Sequence, residues 1–243
     1  MVIANKPFPN RTSIENFLLN ARDGEERNVF HYASISHNLE VLNFLMSPTL
    51  FPGPSSLLSD VLHKKTERGE NTAVYAIRQR CPPAFLDRII AAAGPSILDT
   101  TTIEGLGPLH CAAIADAPDL IKLLVKKYHL DPTQPFTRAP RPDDQPYLFP
   151  EPVVGDTPIH LAARHNSAAA FDILYKRLVV SKDCPRNSAG EAPDEVAVRV
   201  NANAVLRYLG LLRLSNSRSL RILGWDGNGQ RPGPRKRRAA EMN

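Results

Sequence analysis

Only three cysteines occur among the 243 residues, and none stands in a Cys-x-x-Cys pair. Structural zinc sites rely on such spacing, so no metal centre is expected. Three thiols cannot all pair within one chain. Cys81 and Cys184 each precede a proline and Cys111 falls on a predicted inner helix, so free thiols in a reducing compartment are expected. No apolar run approaches the length of a membrane-spanning helix, which argues against a membrane partner. The opening residues, Met-Val-Ile-Ala-Asn-Lys-Pro-Phe-Pro, lack the continuous apolar core of a signal peptide. Gly-rich phosphate loops and nucleophile elbows are missing as well, so neither catalysis nor a cofactor is expected.

Charge of one sign is scarce outside the C-terminus. The net charge is +5, but residues 213–243 hold eight basic and two acidic side chains, which leaves about −1 for residues 1–212. A broad positive face on the main body is therefore excluded, and nucleic acid is not an expected partner.

What the chain does contain is repetition. Residues 155–163 read Gly-Asp-Thr-Pro-Ile-His-Leu-Ala-Ala, and a looser copy, Gly-Leu-Gly-Pro-Leu-His-Cys-Ala-Ala, occupies 105–113. Thr157 is suited to cap a helix whose first residue, Pro158, has no N–H to leave unpaired. The paired alanines keep one helix face thin, and a second helix follows with apolar residues three, four and seven apart, such as Phe171, Leu174 and Leu178. Aligning on the first small alanine recovers degenerate copies and gives anchors at Ala33, Ala76, Ala112, Ala162 and Ala197, with steps of 43, 36, 50 and 35 residues. Upstream, Thr12-Ser13-Ile14-Glu15 fits a capping box before Phe17, Leu18 and Leu19, a short helix able to close the N-terminal end.

These copies resemble the Thr-Pro-Leu-His-x-Ala-Ala start of the ankyrin repeat, whose period is about 33 residues. The resemblance covers residues 12–213 and implies an all-α ankyrin-repeat solenoid of about five helix-turn-helix repeats with long hairpin insertions. It divides the chain into a capping segment at 1–24, a repeat domain at 25–213 and a flexible basic tail at 214–243. It further implies that His110 and His160 hydrogen-bond neighbouring backbone and tie loops together, with Thr157 and Pro158 as the rest of the signature. His31 falls at the equivalent place in the first copy, while His165, near the end of its helix, is expected to be exposed. The function implied is non-catalytic protein–protein interaction by a monomer, with hairpin tips and the concave face touching a partner protein. The family includes inhibitors, ubiquitin-ligase adaptors and effectors that bacteria place in host cells. The alternative is the substrate-recruiting part of a modifying enzyme.

Two segments carry the expected contacts. The proline-rich insertion at 135–153 lies where the family has its projecting hairpin. It presents Phe136, Arg138, Arg141, Asp143, Asp144, Tyr147 and Phe149, the aromatic and charged types that anchor interfaces. It is either a partner-contacting finger or a tolerated insertion whose aromatics fold back on the stack. A second insertion, about 47–66, predicts a short helix over 55–62. In the tail, Arg235, Lys236, Arg237 and Arg238 form a compact cationic run after Pro234. This suits the acidic groove of a nuclear import receptor; the other reading is a solvated tail, or one touching RNA or anionic lipid. The compartment expected is cytoplasmic or nuclear, with delivery into a host cell by a signal-peptide-independent route left open.

Overall fold

The computed structural model describes residues 20–50, 55–137, 151–181 and 185–215. Among them the secondary structure is helical throughout. The α-helices are α1 (Val29–Ser36), α2 (Leu39–Leu45), α3 (Ser55–His63), α4 (Thr72–Arg78), α5 (Pro83–Ala93), α6 (Pro108–Ile114), α7 (Pro118–Lys126), α8 (Pro158–Arg164), α9 (Ala168–Ser181), α10 (Pro193–Arg199) and α11 (Asn203–Ser215), with a 3₁₀ turn at Pro95–Leu98. Starts are explained by the chain itself. Asn28 and Asn71 accept from backbone N–H groups of the first turns of α1 and α4, while proline opens α5, α6, α7, α8 and α10.

Helices α1, α4, α6, α8 and α10 contact one another in chain order, and so do α2, α5, α7, α9 and α11. Each member of the first row also packs on the helix that follows it, except that the extra helix α3 inserts against α4 and α5. The backbone repeats with the contacts. A left-handed residue lies seven positions before each anchor alanine (Glu26, Gly69, Gly105, Gly155, Gly190) and four positions after it (His37, Arg80, Asp116, Asn166, Asn201). Between rows sits a continuous core with Phe30, Phe85 and Phe171 fully buried, and all five anchor alanines are buried.

Neighbouring pairs are also joined by hydrogen bonds. The turns preceding the inner helices meet edge to edge: Glu67 N–H donates to Glu25 C=O (3.1 Å), Ile103 N–H to Arg68 C=O (2.9 Å) and Ser188 N–H to Val154 C=O (2.9 Å). On the far side, Asp116 Oδ1 accepts from Ala170 N–H at 2.8 Å and Asn166 Oδ1 from Ala204 N–H at 2.7 Å, so each caps the outer helix of the next pair.

Gly155 shows how tight the turn edge is. Its φ is +83°, and a Cβ there would lie 2.7 Å from Ser188 N, whereas Gly190 (φ +75°) has nothing within 4 Å. Alanine at 190 should cost about 1–2 kcal/mol for the left-handed backbone alone. Alanine at 155 should cost distinctly more, because the 154–188 bond must also open. Ala162→Leu should cost about 1–3 kcal/mol by overpacking a fully buried contact. Urea denaturation of the three variants tests the ranking; equal losses at 155 and 190 would refute the edge-to-edge account.

Candidate functional site

The inner helices and the turns that precede them line one side of the molecule. Each turn is closed locally: Thr66 N–H donates to Glu70 C=O, Thr102 N–H to Leu106 C=O and Asn187 N–H to Glu191 C=O, all at 3.0 Å. His31 and His160 link two of these turns to the preceding inner helices, and His110 reaches the segment that leads into the insertion. His31 Nε2 lies 3.2 Å from Glu70 C=O, His110 Nε2 3.1 Å from Gln134 C=O and His160 Nε2 3.1 Å from Glu191 C=O. A carbonyl only accepts, so Nε2 carries the proton. Nδ1 meanwhile accepts from the N–H of Gly107 (3.2 Å) or Thr157 (3.1 Å) at the start of its own helix. The ring is therefore a neutral bridge with a fixed tautomer. Burial pushes His31 and His110 down to about 4, and it lowers His160 as well.

A second repeated device was not foreseen. An acidic residue six positions before the anchor alanine pairs with an arginine two positions after it, in three of the five copies. Glu70 bonds Arg78. Asp156 takes both Nε (3.0 Å) and Nη2 (2.7 Å) of Arg164 and also accepts from Asn187 Nδ2 (2.9 Å) and Val153 N–H (2.8 Å). Glu191 takes Nε (2.6 Å) and Nη2 (3.1 Å) of Arg199. The spacing of eight between acid and arginine, in register with the alanine, was the signal available in the sequence. In the other copies these positions hold Arg27 with Ile35 and Leu106 with Ile114, so the pattern hides unless all five are aligned.

Two hollows flank the Glu70–Arg78 pair. A cavity of about 410 Å³ lies over Glu67, Glu70, Tyr75, Arg78 and Gln79, and a neighbouring one of about 170 Å³ lies over Arg78, Leu106, Cys111 and Ile114. Arg78 borders both, so the two hollows adjoin as one groove, which reaches Glu25 of the first turn at one end and Thr102, Leu106 and Ile114 at the other. Burial pushes the Glu70 carboxyl up, opposed by Arg78.

Phe136 requires a correction. Of the two readings of the insertion, a partner-contacting finger or aromatics folded back on the stack, Phe136 follows the second: it is 5% exposed and belongs to the core. Its backbone explains why: Phe136 N–H donates to Asp156 C=O (2.7 Å) and Gly155 N–H donates to Phe136 C=O (2.6 Å), which pins the start of the insertion to its end. Arg138, Arg141, Asp143, Asp144, Tyr147 and Phe149 lie outside the described residues, as do Arg235, Lys236, Arg237 and Arg238. His165 also differs from expectation: it is half-buried, and burial holds it down at about 4. His110, Thr157, Pro158 and His160 are all buried. Cys81 and Cys111 are free and buried, their thiols pushed up to about 12, so neither supplies a thiolate near neutral pH. Among the described residues no group of three or more His, Cys, Asp or Glu is placed to hold a metal ion, and no helix is long and apolar enough to cross a membrane. The chain matches no known family model, and no curated protein is similar to it.

Two measurements follow from this geometry. The buried histidines stay neutral in the fold but bind protons in the unfolded chain below about pH 6.5. Stability should therefore be full above that pH and decline as pH falls towards 4, by about 1.4 kcal/mol per pH unit for each such ring. Chemical denaturation across this range checks it, and His110→Gln should lower the slope by about one proton; an unchanged slope would refute the neutral bridge. For the pairs, Arg164→Ala strands a fully buried carboxylate and should cost about 3–5 kcal/mol, whereas Arg199→Ala, half-exposed, should cost about 0–1 kcal/mol.

Proposed function

We propose that this chain is an ankyrin-like solenoid whose work is to bind another protein without catalysis, through the groove that its turns make with α4 and α6. The two adjoining hollows that share Arg78 are the observation that carries the reading. The five copies of the same turn–helix–helix backbone support the repeat architecture, since stacked repeats present long surfaces instead of enclosing a reaction. Their period and signature are what the ankyrin resemblance rests on. A groove that sets charged side chains and Thr102 beside Leu106, Cys111 and Ile114 suits an extended segment that inserts one apolar side chain and hydrogen-bonds along the turns. The cationic run Arg235–Arg238 supports action in the nucleus through an import receptor, by its composition alone.

Affinity capture from eukaryotic lysate with mass spectrometry tests the reading. Three full-length chains are compared: the native one, Glu67→Arg in the groove, and a loop variant with Arg138, Arg141, Tyr147 and Phe149 replaced by alanine. Phe136 is left intact, because truncating that buried ring should cost about 3–5 kcal/mol and would lose partners by unfolding. The exposed substitution at 67 should change stability by less than about 0.5 kcal/mol. The expected outcome is loss of specific partners with Glu67→Arg and their retention by the loop variant. The reverse pattern would move the contact to the insertion, and retention by both would refute each.

A further inference from the structure

Each helix pair has one side towards the pair before it and another towards the pair after it, and the two end pairs leave one side of each kind open. On the inner helices, the residue just before the anchor alanine is at most 8% exposed in Tyr75, Cys111, Leu161 and Val196, but Tyr32 is 48% exposed. The residue just after it is fully buried in Ser34, Ile77, Ala113 and Ala163, but Val198 is 61% exposed. On the outer helices Val41 is 42% exposed, against 0% for its counterpart Val205.

The turn edge ends in the same way. At three of the four junctions, the N–H nine residues before one anchor alanine donates to the C=O eight residues before the preceding anchor. Gly24 N–H and Ala189 C=O hold these two places at opposite ends of the stack, and neither has a partner among the described residues. The outer helices carry a third match. Tyr208 of α11 packs edge-on to Phe171 and Tyr175 of α9, with ring centroids 6.0 and 6.3 Å away. Phe44, 62% exposed, stands in α2 where Tyr208 stands in α11, and Leu206 and Gly210 stand in α11 where Phe171 and Tyr175 stand in α9. A Cβ on Gly210 would meet nothing within 4 Å, so that place is open.

We propose that the first helix pair of one copy stacks on the last pair of a second copy, making between chains the junction that the stack already makes four times within one. Tyr32 and Val41 of one copy then meet Val198 of the second, Gly24 N–H reaches its Ala189 C=O, and Phe44 lies over its Leu206 and Gly210. Burying these apolar groups drives the contact, and the turn edge sets its register. The two faces are different surfaces, so the contact is head-to-tail and leaves one open face at each end of the assembly. Association therefore grows with concentration and does not stop at a dimer.

Sedimentation and light scattering of the full chain over a range of concentrations test the proposal, with Val41→Asp blocking the first face and Val198→Asp the last. Both side chains are exposed, so circular dichroism of the variants should match that of the native chain. The native chain should gain mass as concentration rises, and each variant alone should stay monomeric. An equal mixture of the two should recover a species of about twice the monomer mass, because the intact last face of one meets the intact first face of the other. A native chain that stays monomeric throughout, or a mixture no heavier than its components, would overturn the proposal. So would a native dimer that Val41→Asp splits and Val198→Asp leaves whole, which would pair two first faces with each other.

Discussion

Seven-residue helices do not persist in water, because forming the first turn costs more than so few hydrogen bonds return. Four of the five inner helices have that length, so none of them stands without its neighbours. What makes the neighbours available at a fixed distance is the imidazole bridge: one face of the ring closes the start of its own helix and the other reaches the turn entering the next copy. The anchor alanines let the helices approach closely enough for the bridge to span, and the left-handed residues let the chain turn back within the same step. Stability of this kind is shared between adjacent copies.

The bridge is absent in two copies, and each compensates differently. In the second, Val74 stands where histidine would, and Asn71 instead caps α4 with Oδ1 and donates Nδ2 to Ile97 C=O at 2.7 Å. In the last, Glu195 closes the start of α10 by accepting from Ala192 N–H at 2.7 Å and also pairs with Arg186 at 3.0 Å. The last copy has no following turn among the described residues for an imidazole to reach.

Much of this was legible in the sequence, because the fold is written in local rules. Small alanines, the Thr-Pro start at 157–158 and apolar spacings of three and four point to paired helices, and the short helix expected at 55–62 is found at Ser55–His63. The acid–arginine pairs were not read, because Glu70 and Arg78 look like ordinary surface charges until register places them across one helix. Phe136 was misjudged for a related reason. Composition around it, rich in proline and charge, suggests an exposed loop, but exposure is decided by the two backbone bonds that hold Phe136 beside Gly155 and Asp156. The groove was invisible for a third reason: its lining is drawn from the turns and helices of adjacent copies, a property of neighbours and not of any one.

Those two bonds also bring the two ends of the insertion to one point. The chain departs at residue 136 and returns at 155–156, so the positions that join the insertion to the helices are fixed. The entropy of closing such a loop grows only with the logarithm of its size. Length added between the clamps therefore adds little to the entropy of closing them, which makes this junction the natural place to splice in foreign sequence.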